Sequence, residues 1–217
     1  MKITILCSDV HHPVFPCLQA WAERNRAAHV VDLVRAKDTL AGGDILFLIS
    51  CHELIGPELR ARYRATLVIH ASDLPLGRGW SPHIWQVLEK KQHIKVTLLE
   101  AADAVDSGAI WTQTAFGLEG HETFAEINAK LFEAEMRLMD YAVLHLETVQ
   151  PRPQDDREPT RYRKRTPEDS RIDPHRSIAD QFDLLRVADP ERFPAFFDLL
   201  GHRYFIHITK DPQHEDN

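Results

Sequence analysis

A histidine and an aspartate roughly 36 residues apart are the first side chains in this sequence that could do acid–base chemistry together. His70 follows the apolar run 65–69, and Asp106 lies in a polar stretch before the apolar run 109–113. Histidine changes protonation near neutral pH, so His70 could take a proton from a nucleophile. Asp106 could orient the imidazole and stabilise its positive charge. Because a histidine at a strand end is more often structural than catalytic, the pair alone does not establish a site.

Alternating strand and helix patterns indicate how these residues are positioned. Apolar runs rich in β-branched residues predict six strands, over residues 2–7, 30–34, 44–50, 65–69, 94–99 and 109–113. Helical spacing of apolar residues predicts a long amphipathic helix from Glu122 to Tyr141, and shorter helices lie between the strands. This order predicts an α/β fold with a mostly parallel twisted sheet and helices on both faces.

Ligands of such sheets bind in the crevice at the carboxyl ends of the strands. The sequence places three polar segments there, namely residues 50–53, 70–75 and 100–108. His70 and Asp106 belong to two of these segments, so both are expected at the same crevice. The first strand is not followed by a Gly-x-Gly-x-x-Gly turn and no P-loop occurs, so nothing supports dinucleotide or ATP binding.

Composition argues against several other classes of protein. Apolar residues make up 43% and charged residues 27% of the chain, as in packed globular domains. The net charge of -7 is unlike the basic surplus with which proteins neutralise nucleic-acid phosphates. No stretch approaches the roughly 18–20 apolar residues of a membrane span, and no secretory signal is found. The three cysteines lack metal-type spacing, so we expect a cytoplasmic enzyme without a metal site.

A proline-rich, charged stretch divides the chain into unequal parts. Residues 1–149 are expected to form the main domain, residues 150–160 a stiff linker, and residues 161–217 a small C-terminal subdomain. The subdomain is expected to contain a helix over 178–187 and a β-hairpin over 193–209. A unit of this size rarely folds alone. We therefore expect it to pack on the main domain or to pair with a second copy in a homodimer.

Three motifs surround the two candidate catalytic residues. They are Val68-Ile-His70-Ala-Ser-Asp-Leu-Pro75, then Gly77-Arg-Gly79 with Ser81-Pro82, and later Val105-Asp106-Ser-Gly108-Ala-Ile110. In order and spacing they resemble the formyltransferase family, whose usual pattern is Asn-x-His, Pro-Ser-x-Leu-Pro, an Arg-Gly turn and Asp-x-Gly-Asp-Ile. The resemblance covers about residues 44–141. Residues 162–195 also resemble the segment beyond the catalytic domain of sugar N-formyltransferases.

The resemblance implies transfer of a formyl group from formyltetrahydrofolate to an amine, with His70 and Asp106 serving the proton movements. The family's asparagine, which donates to the oxyanion, is replaced by Val68. Losing one such donor typically costs roughly two to three orders of magnitude in rate. A backbone N–H or a protonated His70 could hold the oxyanion alone, or Ser72 or His83 could replace the asparagine. A binding protein that keeps the fold but not the reaction is the remaining alternative.

The resemblance also implies binding residues. The folate pocket of this family is lined by the loop after the third strand and the loop before the catalytic aspartate. The corresponding residues here are Cys51, His52, Glu53, Leu54, Ala102, Asp103 and Val105. Candidates for binding the acceptor are polar or aromatic residues close to the pair, namely Ser72, Arg78, Trp80 and His83.

The expected acceptor is the amine of a nucleotide-linked amino sugar used for surface polysaccharide. Members of this family that act on tRNA carry a C-terminal β-barrel. The roughly 58 residues after the proline-rich linker are too few to form one. The runner-up acceptor is a hydroxylamine or amine of siderophore synthesis. From other classes, we keep a formyltetrahydrofolate hydrolase and a catalytically weak folate or sugar-nucleotide binder. A second cavity beside His70 would argue against the hydrolase, which needs no acceptor pocket.

Overall fold

A computed structural model of the chain describes residues 1–9 and 11–211. The strands in these residues are β1 (Lys2–Leu6), β2 (Val30–Val34), β3 (Gly43–Leu48), β4 (Tyr63–His70), β5 (Arg78–Gly79), β6 (His93–Glu100), β7 (Ile110–Gly117), β8 (Arg161–Tyr162), β9 (Ala195–Leu199) and β10 (His202–Ile206). The α-helices are α1 (Phe15–Asn25), α2 (Pro57–Arg60), α3 (Pro82–Leu88), α4 (Phe124–His145) and α5 (Phe182–Arg186). None of the helices in this described part of the chain is long and apolar enough to cross a membrane.

Six strands form the central sheet in the order β2-β1-β3-β4-β6-β7. The pairs β1–β2, β1–β3 and β3–β4 are parallel, whereas β6 is antiparallel to both β4 and β7. The predicted α/β fold with a mostly parallel sheet is therefore confirmed. The direction of β6 could not be read from its apolar run, and it changes how the following loop reaches the site.

Alternate side chains of β4 divide between two apolar clusters, one on each face of the sheet. Leu67 and Ile69 pack in the larger cluster, to which α1, α3 and α4 contribute. Val68 packs in a smaller cluster with Leu48 and with Leu59 of α2. We call these two sides the α4 face and the α2 face. By the same alternation His70, two residues after Val68, lies on the α2 face at the end of the strand.

The chain beyond α4 returns along the edge of the main domain. Arg152 forms an isolated antiparallel bridge with Ile110, and β8 pairs in parallel with β5. The expected C-terminal helix is present as α5, preceded by the 3₁₀ turn Ala179–Gln181, and the expected hairpin is β9–β10. The division into domains at residues 149 and 160 stays a prediction, and residues 212–217 lie outside the described part of the chain.

Candidate active site

His70 is held at the carboxyl edge of the parallel strands with its side chain only 8% exposed. Its Nε2 lies 2.8 Å from the carbonyl oxygen of Gly77. Since a carbonyl oxygen can only accept, Nε2 carries a proton and donates it to Gly77. The other ring nitrogen, Nδ1, is therefore the atom left to take up a proton, as a general base must.

Asp106 lies in loop 101–109 with its side chain 6% exposed and reaches His70 as predicted. Its Oδ1 is 3.5 Å from Nδ1 of His70, and its Oδ2 accepts a hydrogen bond of 2.9 Å from the backbone N–H of Gly79. Its φ of 58° is in the left-handed region, which residues other than glycine adopt rarely. The backbone thus fixes one carboxylate oxygen and leaves the other facing the imidazole.

The route of loop 101–109 differs from the expectation. We expected it to start at the ligand-binding edge, as a loop after one more parallel strand would. Because β6 is antiparallel to β4, Glu100 lies beside Leu67, three residues before the end of β4. Ala101 then packs in the cluster of the α2 face. The loop therefore folds back along this face to bring Asp106 to the end of β4.

The turn Gly77–Gly79 holds both candidate catalytic side chains, because its first residue binds His70 and its last binds Asp106. At Gly79, φ is 101° and a Cβ atom would overlap the carbonyl oxygen of Tyr162. Only glycine therefore permits the pairing of β5 with β8 at this position.

Gln154 is a positioning residue that the sequence did not reveal. It lies in the proline-rich stretch that was expected to be only a linker. Its Nε2 donates to the carbonyl oxygens of Asp106 at 2.8 Å and Gly108 at 3.1 Å. Its Oε1 accepts a hydrogen bond of 2.6 Å from Nη2 of Arg78. One side chain thus ties the loop that carries Asp106 to the Gly77–Gly79 turn.

His70 and Asp106 line a cleft of about 890 Å³, within the size of small-molecule sites. All seven residues expected to bind folate also line it, namely Cys51, His52, Glu53, Leu54, Ala102, Asp103 and Val105. Cys51 packs in the cluster of the α2 face, and we call the part of the cleft lined by these seven residues the donor lobe.

The cleft continues past the end of the sheet to the α4 face. Helix α4 lines it with residues spaced by four, three and four positions, namely Phe124, Asn128, Leu131 and Glu135. His12, His83 and Arg165 also line the cleft. We call this part the acceptor lobe. The polar residues Asn128 and Glu135 interrupt an otherwise apolar helix stripe, and this was the overlooked signal in the sequence.

The four predicted acceptor-binding residues separate in the structure. Trp80 and His83 line the cleft, and the Trp80 ring lies 5.3 Å from that of His52. Ser72 and Arg78 do not line it. Ser72 is 2% exposed beneath the Gly77 turn, and Arg78 is held by Gln154. The prediction that Ser72 and Arg78 contact the acceptor is therefore replaced by structural roles for both.

The ionisable groups of the acceptor lobe are mostly uncharged or cationic. Burial and the nearby His12 lower the pKa of His83 to about 3. Burial and the charge of Arg192 lower the pKa of His12 to about 4, so both imidazoles are neutral at pH 7. Burial also lowers the pKa of Arg165, whose Nε has no hydrogen-bond partner among the described residues. Arg192 is paired with Asp9 and Asp189, so Arg165 is the cation of this end of the cleft that could bind a polar or anionic group.

A family sequence model described as formyl transferase matches residues 8–143, which is more than half of the chain. The matched range contains the His70–Asp106 pair and, apart from Arg165, the residues that define the two lobes. It does not extend to Gln154 or Arg165.

Solved structures with this fold share little sequence with the chain. Methionyl-tRNA formyltransferase from Clostridium thermocellum superposes with a TM-score of 0.81 at 21% identity, over 99% of this chain and 95% of that one. HypX from Aquifex aeolicus, in complex with tetrahydrofolic acid, gives 0.78 at 21% identity over 96% and 37%. A sugar N-formyltransferase from a Shewanella species gives 0.71 at 16% identity over 97% and 98%. Likenesses at such identities show a common fold.

Proposed function

Starting from the fact that the chain belongs to the formyl transferase family, we propose that its acceptor is the amine of a nucleotide-linked amino sugar. Members of the family are enzymes that use formyltetrahydrofolate, so the reaction class and the donor follow from membership. What the chain's own residues must add is a base, support for the charges that develop, and a place for the amine.

The proposal is carried by the position of His70 between two lobes of one cleft. The donor lobe is on the α2 face and the acceptor lobe on the α4 face, and His70 ends the strand that separates them. A donor bound on one side and an amine on the other would meet at this histidine. A hydrolase needs room for water only, so the acceptor lobe argues against that alternative.

His70 and Asp106 can carry out the proton movements with atoms that the backbone leaves free. Nδ1 of His70 removes a proton from the amine as the nitrogen forms its bond to the formyl carbon, and the carbonyl π electrons move to oxygen. Asp106 stabilises the resulting imidazolium through Oδ1. When the tetrahedral intermediate collapses, the bond from carbon to the folate nitrogen breaks and His70 returns the proton to that nitrogen. The 3.5 Å separation is long for a hydrogen bond, as is common in unliganded sites.

The oxyanion has fewer donors than the family pattern provides. Val68 is partly buried at the cleft wall, two residues before His70 and on the same side of β4. Ser72 does not reach the cleft, which leaves protonated His70, a backbone N–H or His83 to stabilise the oxyanion. We propose that protonated His70 supplies this stabilisation, because it acquires its charge as the oxyanion forms.

Cationic and aromatic groups support a nucleotide-linked acceptor. Lys164, Arg165 and Arg192 line the cleft, and the Lys164 ammonium lies 4.8 Å from the ring centre of Trp80. A diphosphate could bind such cations, and an exposed tryptophan could stack on a base. Trp80 is 41% exposed. A single-chain cleft with these groups fits a small acceptor better than tRNA, given the net charge of -7.

The test is to incubate the enzyme with isotopically labelled formyltetrahydrofolate and a panel of acceptors, and to identify formylated products by mass spectrometry. The panel contains UDP- and dTDP-linked 2-amino and 4-amino sugars, an N-hydroxylated diamino acid and water alone. We expect label in the amide of an amino sugar. Label only in the hydroxylamine would support the siderophore acceptor instead, and release as free formate would support the hydrolase.

We also propose that the β9–β10 hairpin pairs two copies of the chain. Leu199, Leu200, Tyr204 and Phe205 are exposed there at 38–87%, an apolar patch that association would cover. Sedimentation of the wild type and of Phe205→Glu tests this. We expect a dimer that the charged variant dissociates, and a wild-type monomer at micromolar concentration would contradict it.

A further inference from the structure

Glu135 places a carboxyl oxygen in the wall of the acceptor lobe without a hydrogen-bond partner among the described residues. It lies on α4 and lines the cleft. Its Oε2 is inaccessible to solvent and makes no hydrogen bond with any described residue. A buried polar group without a partner destabilises the folded protein and calls for an explanation.

Other buried carboxylates of the described chain are satisfied. Glu122 binds Lys130 at 2.5 Å and the backbone N–H groups of Glu119 and Gly120. Asp189 binds Arg192 at 2.7 Å. The fold therefore provides partners for its structural carboxylates, and the isolation of Glu135 is a property of this site.

The surroundings of Glu135 keep it uncharged at neutral pH. Burial raises its pKa to about 8, and no cation or hydrogen-bond donor opposes this. Burial raises the pKa values of the Cys7 and Cys17 thiols as well, and Glu135 contributes to both shifts. A protonated carboxyl can donate one hydrogen bond and accept others. It therefore pairs well with a ligand group that also both donates and accepts hydrogen bonds.

Glu135 lies on the acceptor side of His70. His83 lines the cleft together with His70, and both His70 and Asn128 influence the pKa of His83. Asn128, Leu131 and Glu135 then follow along the cleft-facing stripe of α4. The series leads from the catalytic histidine into the acceptor lobe and away from the loops of the donor lobe.

We propose that Glu135 recognises hydroxyl groups of the acceptor's sugar ring, as both donor and acceptor of hydrogen bonds. The inference rests on the proposed function, because it takes the acceptor to be a sugar. Hydroxyls are favoured over an ammonium group because Arg165, which forms no ion pair with a described residue, lines the same cleft and would repel a second cation. Glu135 is thus a specificity-determining residue that leaves the chemistry to His70.

The test compares Glu135→Leu and Glu135→Gln with the control Glu133→Gln, two residues earlier on α4 and exposed to solvent in an ion pair with Arg137. Leucine removes the unpartnered polar group, so this variant is expected to fold and to melt at a higher temperature than the wild type. Its Kd for UDP-2-amino-2-deoxyglucose and for UDP-glucose, measured by calorimetry without donor, is expected to rise roughly 10–100-fold. Glutamine keeps a donor and an acceptor and is expected to change Kd less than about fivefold.

Four outcomes test the two proposals. Transfer to the sugar with unchanged binding in Glu135→Leu would overturn the role of Glu135 alone. Binding of UDP-glucose that is weakened in Glu135→Leu, with no formyl transfer to any amino sugar, would support Glu135 and overturn the proposed reaction. Failure of the wild type to bind any nucleotide-linked sugar of the panel would overturn both. A changed Kd for tetrahydrofolate in Glu135→Leu would also overturn the proposal, by placing the residue in the donor lobe.

Discussion

Nδ1 of His70 lies 3.5 Å from Oδ1 of Asp106, and the second polar atom of each side chain is bound to the same three-residue turn. The carbonyl of Gly77 takes the imidazole Nε2–H, and the N–H of Gly79 holds the carboxylate Oδ2. The distance between the two reactive atoms therefore depends on the shape of this turn. Changes to the turn or to its supports are expected to act on catalysis without touching a reacting group.

Gly79→Ala is expected to abolish activity and destabilise the protein, because its Cβ would overlap the Tyr162 carbonyl. Gly120 provides a matched control, since it has the same φ of 101° but no atom within 4 Å of a Cβ. Gly120→Ala should show only the cost of the backbone conformation, about 1–2 kcal/mol. Thermal melting and initial rates measure both variants. Equal losses of stability and activity in the two variants would mean that the overlap with the Tyr162 carbonyl has no effect of its own.

Gln154→Ala is expected to lower kcat about 10–100-fold through loss of three hydrogen bonds that hold the Asp106 loop. KM for the donor should change less than kcat, because Gln154 does not line the cleft. Gln150→Ala, an exposed residue without a side-chain hydrogen bond in the described chain, is the control. An equal fall in both variants, or a change confined to KM, would contradict a positioning role.

The sequence predicted the pair and most of the donor lobe because these depend on local patterns. A strand that ends at His70 and loops that follow β3 and β6 can be recognised from apolar runs and their boundaries. The antiparallel direction of β6 could not, since an apolar run has the same composition in either direction. Gln154 and Glu135 were missed because their roles depend on contacts across more than 40 residues or on one polar position in an apolar helix stripe.

Val68→Asn is expected to raise kcat about 10–100-fold by adding an oxyanion donor beside His70. Its melting temperature should fall by a few degrees, because a polar group enters the apolar contacts of Val68. Val68→Ala is the control for lost packing and should not raise kcat. An unchanged kcat in a folded Val68→Asn protein would show that the wild-type oxyanion is already fully stabilised.

Stability should fall as pH rises from about 6.5 to 8, and Glu135 is the reason. Its pKa is about 8 in the folded protein and 4.5 when unfolded. In this range unfolding releases its proton, so higher pH favours the unfolded state by up to about 1.4 kcal/mol per pH unit. His12 and His83, with lowered pKa values, have the opposite effect only below about pH 6.5. Urea unfolding of the wild type and of Glu135→Gln across this pH range measures the effect. If the free energies of unfolding of the two proteins changed in parallel with pH, Glu135 would not be its cause.

We infer that His70 moves the proton in a transfer that requires an amine. The most direct test follows the absorbance change of formyltetrahydrofolate turnover with and without an amino-sugar nucleotide, for wild type and His70→Ala. We expect tetrahydrofolate release to depend on the acceptor and to fall about 10²–10⁴-fold in the variant. Release at the same rate without acceptor, or undiminished turnover in a folded His70→Ala protein, would contradict it.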